Sequence, residues 1–256
     1  DRISEQRFLF LTSFSPNAST PFGNPLSITN YPTLYISPTA LGNDQITWET
    51  GFKRNIGLEA RLFKDRLKLT VDLFDETRKD ILTAALSGSE LFGHAYPRLN
   101  VGEVYNKGYE VEMDYQAAVG QVSIGLNAQV GYAKNRIVEN DEPDGLPDRD
   151  ARKGKSVGQF IGYKTDGFYT SQADIDSSPK QQGFNPIPGD LKMKDLDGDG
   201  LITTLDQTSI GHTSNPEYIY SFTPRLAYKG LTLSIMFQGA ANVSSNVILS
   251  EQNNGQ

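Results

Sequence analysis

Cysteine is absent from the 256 residues, which excludes disulfide staples and thiolate metal centres. It suits an exported protein that needs no oxidation step. Histidine is almost absent: His94 and His212 stand far apart with no H-x-x-x-H spacing, which argues against a zinc site. There is no basic excess either. The net charge is -7, which argues against a nucleic-acid partner. Part of that acid is local, in Glu139, Asp141, Glu142, Asp144, Asp148 and Asp150, and reads as a solvated loop. No run approaches the ~18 consecutive apolar residues of a membrane helix; the longest early one is Phe8-Leu9-Phe10-Leu11. No amphipathic helix of ordinary length is discernible. A strand that crosses a bilayer escapes such tests, because only its alternate residues need be apolar.

Alternation is what the chain has instead. Ile56, Leu58, Ala60 and Leu62 share one face, with Gly57, Glu59, Arg61 and Phe63 on the other. After Lys64-Asp65-Arg66 the pattern returns as Leu67, Leu69, Val71 and Leu73, interleaved with Lys68, Thr70 and Asp72. Two period-2 segments joined by a few turn residues predict a β-hairpin. A second predicted pair carries Tyr109, Val111, Met113, Tyr115 and Ala117, turns at Val119-Gly120-Gln121, and returns through Val122, Ile124, Leu126, Ala128, Val130 and Tyr132. A third runs from Tyr218 to Tyr228, turns at Lys229-Gly230, and returns from Leu231 to Gly239. Each strand is about ten residues, the length that crosses a bilayer at a barrel tilt. The opposite faces hold Glu, Lys, Asp, Gln, Asn, Ser and Gly, which suits a hydrated lumen. Phe8–Phe14, Leu34–Ile36 and Gln45–Trp48 are weaker strand candidates.

The connections alternate too. Three are tight, and two are long: Glu76 to Tyr105, and Lys134 to Pro216. Outer-membrane barrels have short periplasmic turns and long outer loops. The fold class expected is therefore all-β: an antiparallel transmembrane β-barrel segment, residues 1–256 forming part of one barrel domain, with 134–217 a long extracellular loop region. Aromatics near strand ends (Phe63, Phe74, Tyr105, Tyr132, Tyr218) are candidates for interfacial girdles, or ordinary sheet aromatics.

Within the longer connection lies "DLDGDGLITTLD", Asp195 to Asp206. Asp195, Asp197 and Asp199 occupy positions 1, 3 and 5 of a calcium loop, the Leu201 carbonyl position 7, and Asp206 position 12. Calcium takes six to eight oxygens, and Gly200 permits the sharp turn. Asp206 stands where a longer, bidentate Glu is usual. The flanks "FNPIPGDLKMK" and "QTSIGHTSNPEY" are not amphipathic helices, so a helix–loop–helix sensor is excluded. A structural calcium clip and a plain acidic turn both remain open.

Two motifs mislead. Gly154-Lys155-Ser156-Val157-Gly158 fits G-x-S-x-G, but "PDRDARK" before it cannot be the buried strand of a nucleophile elbow. Its "GKS" evokes a phosphate-binding loop, yet Arg149 stands where the first glycine belongs. No catalytic residue is assigned, and an enzyme is not expected.

Several longer segments, in order, carry a family resemblance: "ITWETGFKRNIGLEARLFKDRLKLTVDLFDETRKDIL" (Ile46–Leu82), "LNVGEVYNKGYEVEM" (Leu99–Met113), "GKSVGQFIGYKTDGFYTS" (Gly154–Ser171), "PGDLKMKDLDGDGLITTLDQTSIGHTSNPEYIYSF" (Pro188–Phe222) and "YKGLTLSIMFQG" (Tyr228–Gly239). Over Phe8 to Gly239 the chain resembles the SusC/RagA family of TonB-dependent outer-membrane transporters of Bacteroidota. The resemblance implies a plugged barrel of the 22-stranded type. It also implies import of glycan or peptide nutrients, a SusD-like surface lipoprotein as lid, and energy delivered through TonB. The chain starts at Asp1 without a leader and has no plug, TonB box or aromatic C-terminal residue, so an internal piece of a longer polypeptide is expected. The competing readings are a secreted, calcium-stapled β-rich binding module, whose apolar faces would be buried between two sheets, and a β-fold hydrolase, for which no nucleophile or metal set is present.

Overall fold

The computed structural model describes residues 9–21, 32–85, 87, 96–181 and 183–246. In chain order the strands are β1 (Ser13–Pro21), β2 (Pro32–Ala40), β3 (Thr50–Leu62), β4 (Leu67–Thr83), β5 (Leu99–Val119) and β6 (Val122–Glu139). Short elements follow: β7 (Ile161–Tyr163), β8 (Thr165–Phe168), helix α1 (Gln172–Ser177), β9 (Lys180–Gln181), β10 (Leu191–Met193), β11 (Leu201–Ile202) and β12 (Gln207–Ser209). The chain then returns to long strands with β13 (Tyr218–Tyr228), β14 (Leu231–Ser234) and β15 (Phe237–Ala241).

β3 to β6 and β13 to β15 form one seven-stranded sheet in the order β14-β13-β6-β5-β4-β3, with β15 also on β13. The order follows the chain, as in an up-and-down meander. Among the described residues the sheet is not closed on itself: β3 and β14 are its edges. The three predicted hairpins are all present, and their turns show why so few residues suffice. Phe63, Lys64 and Asp65 all have positive φ. Lys229 (φ 46°) and Gly230 (φ 86°) give the twist that a two-residue hairpin needs.

Two compact units divide the described residues. The first comprises Asp1–Phe52, Thr77–Val104 and Val138–Asp144. It holds the antiparallel β1–β2 pair, in which register shifts interrupt the ladder. Asn100 organises the rest. Its Oδ1 accepts the Thr47 N–H at 3.0 Å, and its Nδ2 donates to the Thr47 carbonyl at 3.0 Å and the Asp80 carbonyl at 2.7 Å. The side chain thus takes the place of a neighbouring strand residue. This corrects the expectation at Gln45–Trp48, which is not a strand: side-chain amides, Asn100 at Thr47 and Asn43 at Gln45, take the place of a ladder. Leu34–Ile36 lies within β2. The candidate at Phe8–Phe14 begins outside the described residues and overlaps β1 at Ser13 and Phe14.

The second unit comprises Lys53–Glu76, Tyr105–Ile137 and Gly145–Gln256. Here β13 and β6 pair in an unbroken register, with Tyr218 opposite Tyr132, Tyr220 opposite Val130, Phe222 opposite Ala128, Leu226 opposite Ile124 and Tyr228 opposite Val122. Apolar therefore meets apolar across the ladder, and polar meets polar: Ser221 lies opposite Gln129, which donates to its hydroxyl at 2.9 Å. The apolar face is bare. Ile56 is 74% exposed and Leu231 76%. No second sheet covers it among the described residues. Tyr218 to Tyr228 is ten steps of ~3.4 Å along the strand, which a tilt of ~45° turns into a band ~25 Å tall.

Pro224 explains why the strand after the last turn reads as two. It lies between β6 and β14, where it accepts the Ile235 N–H at 3.2 Å but has no N–H to return. The register on either side is the same, Arg225 with Ser234 and Phe222 with Phe237.

The long strands outrun the expected ten residues, β5 reaching 21. The Glu76–Tyr105 connection is accordingly part sheet, with Lys79–Glu103 paired across β4 and β5 at 3.5 Å and Arg78 paired with Glu49, just ahead of β3, at 3.1 Å. Charged side chains hid these segments from a reading based on apolar alternation.

Gly108 marks the tightest packing in the sheet. A Cβ there would overlap the Tyr132 carbonyl and the Phe74 ring, whereas one on Gly131 would meet only Glu110, at 3.9 Å. Gly108→Ala in the full-length protein is expected to cost about 1–3 kcal/mol through overpacking. The check is the temperature at which the folded barrel loses its compact gel mobility. Gly131→Ala should leave that temperature nearly unchanged; equal effects of the two would refute the packing argument.

Candidate functional site

Apolar burial in this chain lies away from the long strands. Tyr169, Ile175 and Ile202 are the buried hydrophobic residues among those described, and all three belong to the connection between β6 and β13. This connection is built from two-stranded pairings of β7 with β12, β8 with β10, and β9 with β11, the last one parallel. Short-range order of this kind runs through the long loop region expected for residues 134–217, whose first residues to Glu139 belong to β6.

Polar side chains staple it. Ser171 caps α1 by accepting the Asp174 N–H at 3.2 Å. Asp174 accepts the Thr170 N–H at 3.0 Å and pairs with Lys192 at 2.9 Å. The Thr170 N–H first, and then Lys192, hold its carboxyl down at about 2. Asp148 accepts from the Thr208 hydroxyl and from the Ser209 N–H at 3.2 Å, and pairs with Lys155 at 3.3 Å. The Thr208 hydroxyl is the largest of the influences that lower its carboxyl. Sequence reasoning missed these staples. Asp148 and Thr208 are too far apart in the chain for any short motif to join them.

The acidic loop is held by hydrogen bonds from its own backbone amides. Asp195 accepts the Gly198 N–H at 2.6 Å and the Gly200 N–H at 2.9 Å. Asp197 accepts the Asp199 N–H at 3.1 Å, and Asp199 the Leu201 N–H at 2.7 Å. Gly198 (φ 78°) and Gly200 (φ 83°) supply left-handed backbone where side chains are disfavoured. One carboxylate oxygen from each of Asp195, Asp197 and Asp199 lies within 4.8 Å of the others. Oxygens 2.3–2.6 Å from one Ca²⁺ lie at most ~5 Å apart, so this donor set fits that ion. Crowding has an electrostatic cost. The Asp199 N–H pulls the Asp197 carboxyl down, but desolvation and the charges of Asp199, Asp206 and Asp195 outweigh it and push the group up.

Asp206 behaves differently from the other three. It is 0% exposed. One oxygen accepts the Leu196 N–H at 2.7 Å and the other the Thr203 N–H at 2.7 Å. With Thr203 it forms a reciprocal capping box on the 3-10 turn Thr204–Asp206. Burial alone would raise its carboxyl; the N–H groups of Thr203, Leu196 and Asp197 outweigh this and hold it below the usual range. Leu201, the fifth candidate, lies in β11 opposite Lys180. The structure thus brings Asp195, Asp197 and Asp199 together, and Asp206 ties position 2 of the loop to position 9 from beneath.

Ser156, at the centre of G-x-S-x-G, donates its hydroxyl to the Asn135 carbonyl at 3.0 Å, and the Val157 N–H donates to the Asn135 side chain at 2.7 Å. The motif fastens the loop to β6. No described helix is long and apolar enough to cross a membrane, which leaves strands as the elements that can.

An open antiparallel sheet with a bare apolar face ~25 Å tall and a polar reverse defines a wall piece of a membrane barrel. The comparisons give the particular kind. The family model described as "TonB dependent receptor-like, beta-barrel" matches residues 10–235, and the chain belongs to this family. Its place is the bacterial outer membrane. TonB-dependent receptors P3 and P26 of Formosa agariphila are each 29% identical to it, over 79% and 77% of the chain. The chain spans about a fifth of their length, 21% in each case. Among solved structures it is similar to the RagAB peptide transporter (TM-score 0.57, 18% identity, 90% of this chain and 24% of that one). It is also similar to the RagAB peptide importer in the 'open-open' state (TM-score 0.61, 18% identity, 92% and 24%). At that identity the likeness speaks for the fold.

Asp206→Ala would leave the partly buried Leu196 and Thr203 N–H groups without their partner, at about 1–3 kcal/mol of local stability. Hydrogen exchange on the full-length protein should show faster exchange confined to residues 195–206. Unchanged exchange there would contradict the keystone role.

Proposed function

We propose that this chain is part of the wall and outer loops of a TonB-dependent importer that takes up glycan or peptide nutrients without chemical change. The single observation that carries the reading is the ~25 Å apolar band on an open-edged sheet. The polar reverse of that sheet, with Asp72, Glu110, Glu112 and Gln129, lines a hydrated passage. TonB supplies energy through a plug elsewhere in the polypeptide, and a SusD-like surface lipoprotein closes the outer mouth. Family membership supports this reading, as does the likeness to structures described as a peptide transporter. The bare apolar face counts against the secreted binding module, which needs that face buried between sheets.

The tight turns at Lys64, Gly120 and Gly230 face the periplasm in this topology, and the connection from β6 to β13 faces outward. Asp195, Asp197 and Asp199, with the Leu201 carbonyl and Asp206 completing the loop, hold a structural Ca²⁺. A bound ion neutralises the crowded carboxylates and stiffens the loop against the lid or the substrate. Asp206, whose oxygens already serve two amides, contributes mainly by shaping the loop. An affinity no tighter than a Kd of roughly 10⁻⁴ to 10⁻³ M suffices outside the cell.

Orientation and function are tested in whole cells. A cysteine at Asp197 should react with a membrane-impermeant reagent, and one at Lys229 should not; the reverse pattern would overturn the topology. Deleting the protein, or TonB, should abolish uptake of the same nutrient. For the ion, chelation should speed proteolysis within residues 195–206 of the full-length protein several-fold, and added Ca²⁺ should reverse it. Asp197→Asn with Asp199→Asn should remove the Ca²⁺ response; protection that never depends on Ca²⁺ would rule the clip out.

A further inference from the structure

The end of the apolar band nearest the outer loops carries a row of tyrosines. Tyr109, Tyr132 and Tyr218 lie side by side across β5, β6 and β13, with ring centroids 5.5 Å and 4.6 Å apart. They mark the level at which lipid tails give way to headgroups, since amphipathic rings settle at that boundary.

Continuing outward along the same face, the side-chain alternation of each strand places basic residues next. On β5 the residue two before Tyr109 is Lys107; on β6 the residues two and four after Tyr132 are Lys134 and Arg136. All three are exposed. The reverse face is fixed independently, because Gly108 points at Phe74 and Gly131 at Glu110. Arg54 of β3 follows Ile56 outward on the same face.

The acids facing this row are few. Asp75 pairs with Arg54 at 2.9 Å, and Glu217 with Lys134 at 2.9 Å. Glu103, further along β5, pairs with Lys79 at 3.5 Å. Lys107 and Arg136 have no ion-pair partner among the described residues. Two unneutralised cations therefore sit just beyond the tyrosine row on the lipid-facing side.

We propose that Lys107 and Arg136, flanked by Lys134, bind a phosphorylated lipid headgroup of the outer leaflet. Charge and position both favour this occupant. The row continues the lipid-contacting band without a break, and a phosphate presented by a lipid that touches that band meets the cations without leaving the membrane. Lys107 acts as a point charge, and Arg136 offers a planar fork of donors matched to phosphate oxygens. The inference rests on the outward orientation argued above.

The test uses the purified full-length protein in detergent, with phosphorylated lipid A and its dephosphorylated counterpart as probes. Native mass spectrometry reads the bound fraction of each. Wild-type protein should retain the phosphorylated form about tenfold better, the ratio expected from two charge-assisted contacts at a partly exposed site. Lys107→Gln with Arg136→Gln should bring the ratio close to one. Lys64→Gln with Lys229→Gln, at the opposite rim, should leave it unchanged. Compact gel mobility confirms that each variant is folded. No preference in the wild type would overturn the proposal whatever the variants do, as would a preference that survives the double change. Cysteine labelling decides orientation separately: an inverted pattern there would overturn both the importer topology and the outer-leaflet site, whereas the expected pattern with no lipid preference would overturn the binding site alone.

Discussion

Hydrogen bonding between neighbouring strands is the constraint on which everything else depends. In hydrocarbon each strand N–H and C=O must find a partner within the protein, because no water is available. β13 meets this by pairing with β6 along its whole length and with β14 and β15 on its other side. The single concession is Pro224, whose missing N–H breaks one rung and leaves the register intact. β3 and β14 remain edges, and a sheet in lipid cannot have edges. Strands beyond those described must therefore complete the ladder; the chain spans about a fifth of the relatives' length.

Once the ladder is fixed, side-chain alternation distributes chemistry to two solvents. Even-numbered residues of β6 and β13 carry the apolar band, and odd-numbered ones the polar wall. The same alternation, even-numbered on β6 and odd-numbered on β5, carries past the band and decides where Arg136 and Lys107 emerge. A one-residue slip would send Ser221 and Arg225 into lipid and Phe222 and Leu226 to the polar face, so the register is held as firmly as any buried core.

The hairpins were legible because their band residues alternate over about seven to ten positions and their turns hold Gly or a short polar run such as Lys64-Asp65-Arg66. The strand extensions of β4 and β5 were not, since they carry Arg78, Lys79, Glu103 and the Asn100 amide rather than apolar periodicity. The grouping of Asp195, Asp197 and Asp199 could be read from spacing alone. The burial of Asp206 could not: position 12 of the loop pattern calls for an oxygen donor and does not say that backbone amides will claim it first. Asp148 and Asp174 were invisible for a plainer reason. Their partners are distant in sequence, and surface acids are common.

The central claim is that the apolar face of the long strands meets lipid while the reverse meets water. Nitroxide labels placed singly from Tyr218 to Tyr228 in the full-length protein, reconstituted in a bilayer, test it directly. Collisions with apolar oxygen should peak at 220, 222 and 226, and collisions with a polar nickel chelate at 221, 223 and 225. Equal protection of both sets from both reagents would place the strand inside a two-sheet core and contradict the account.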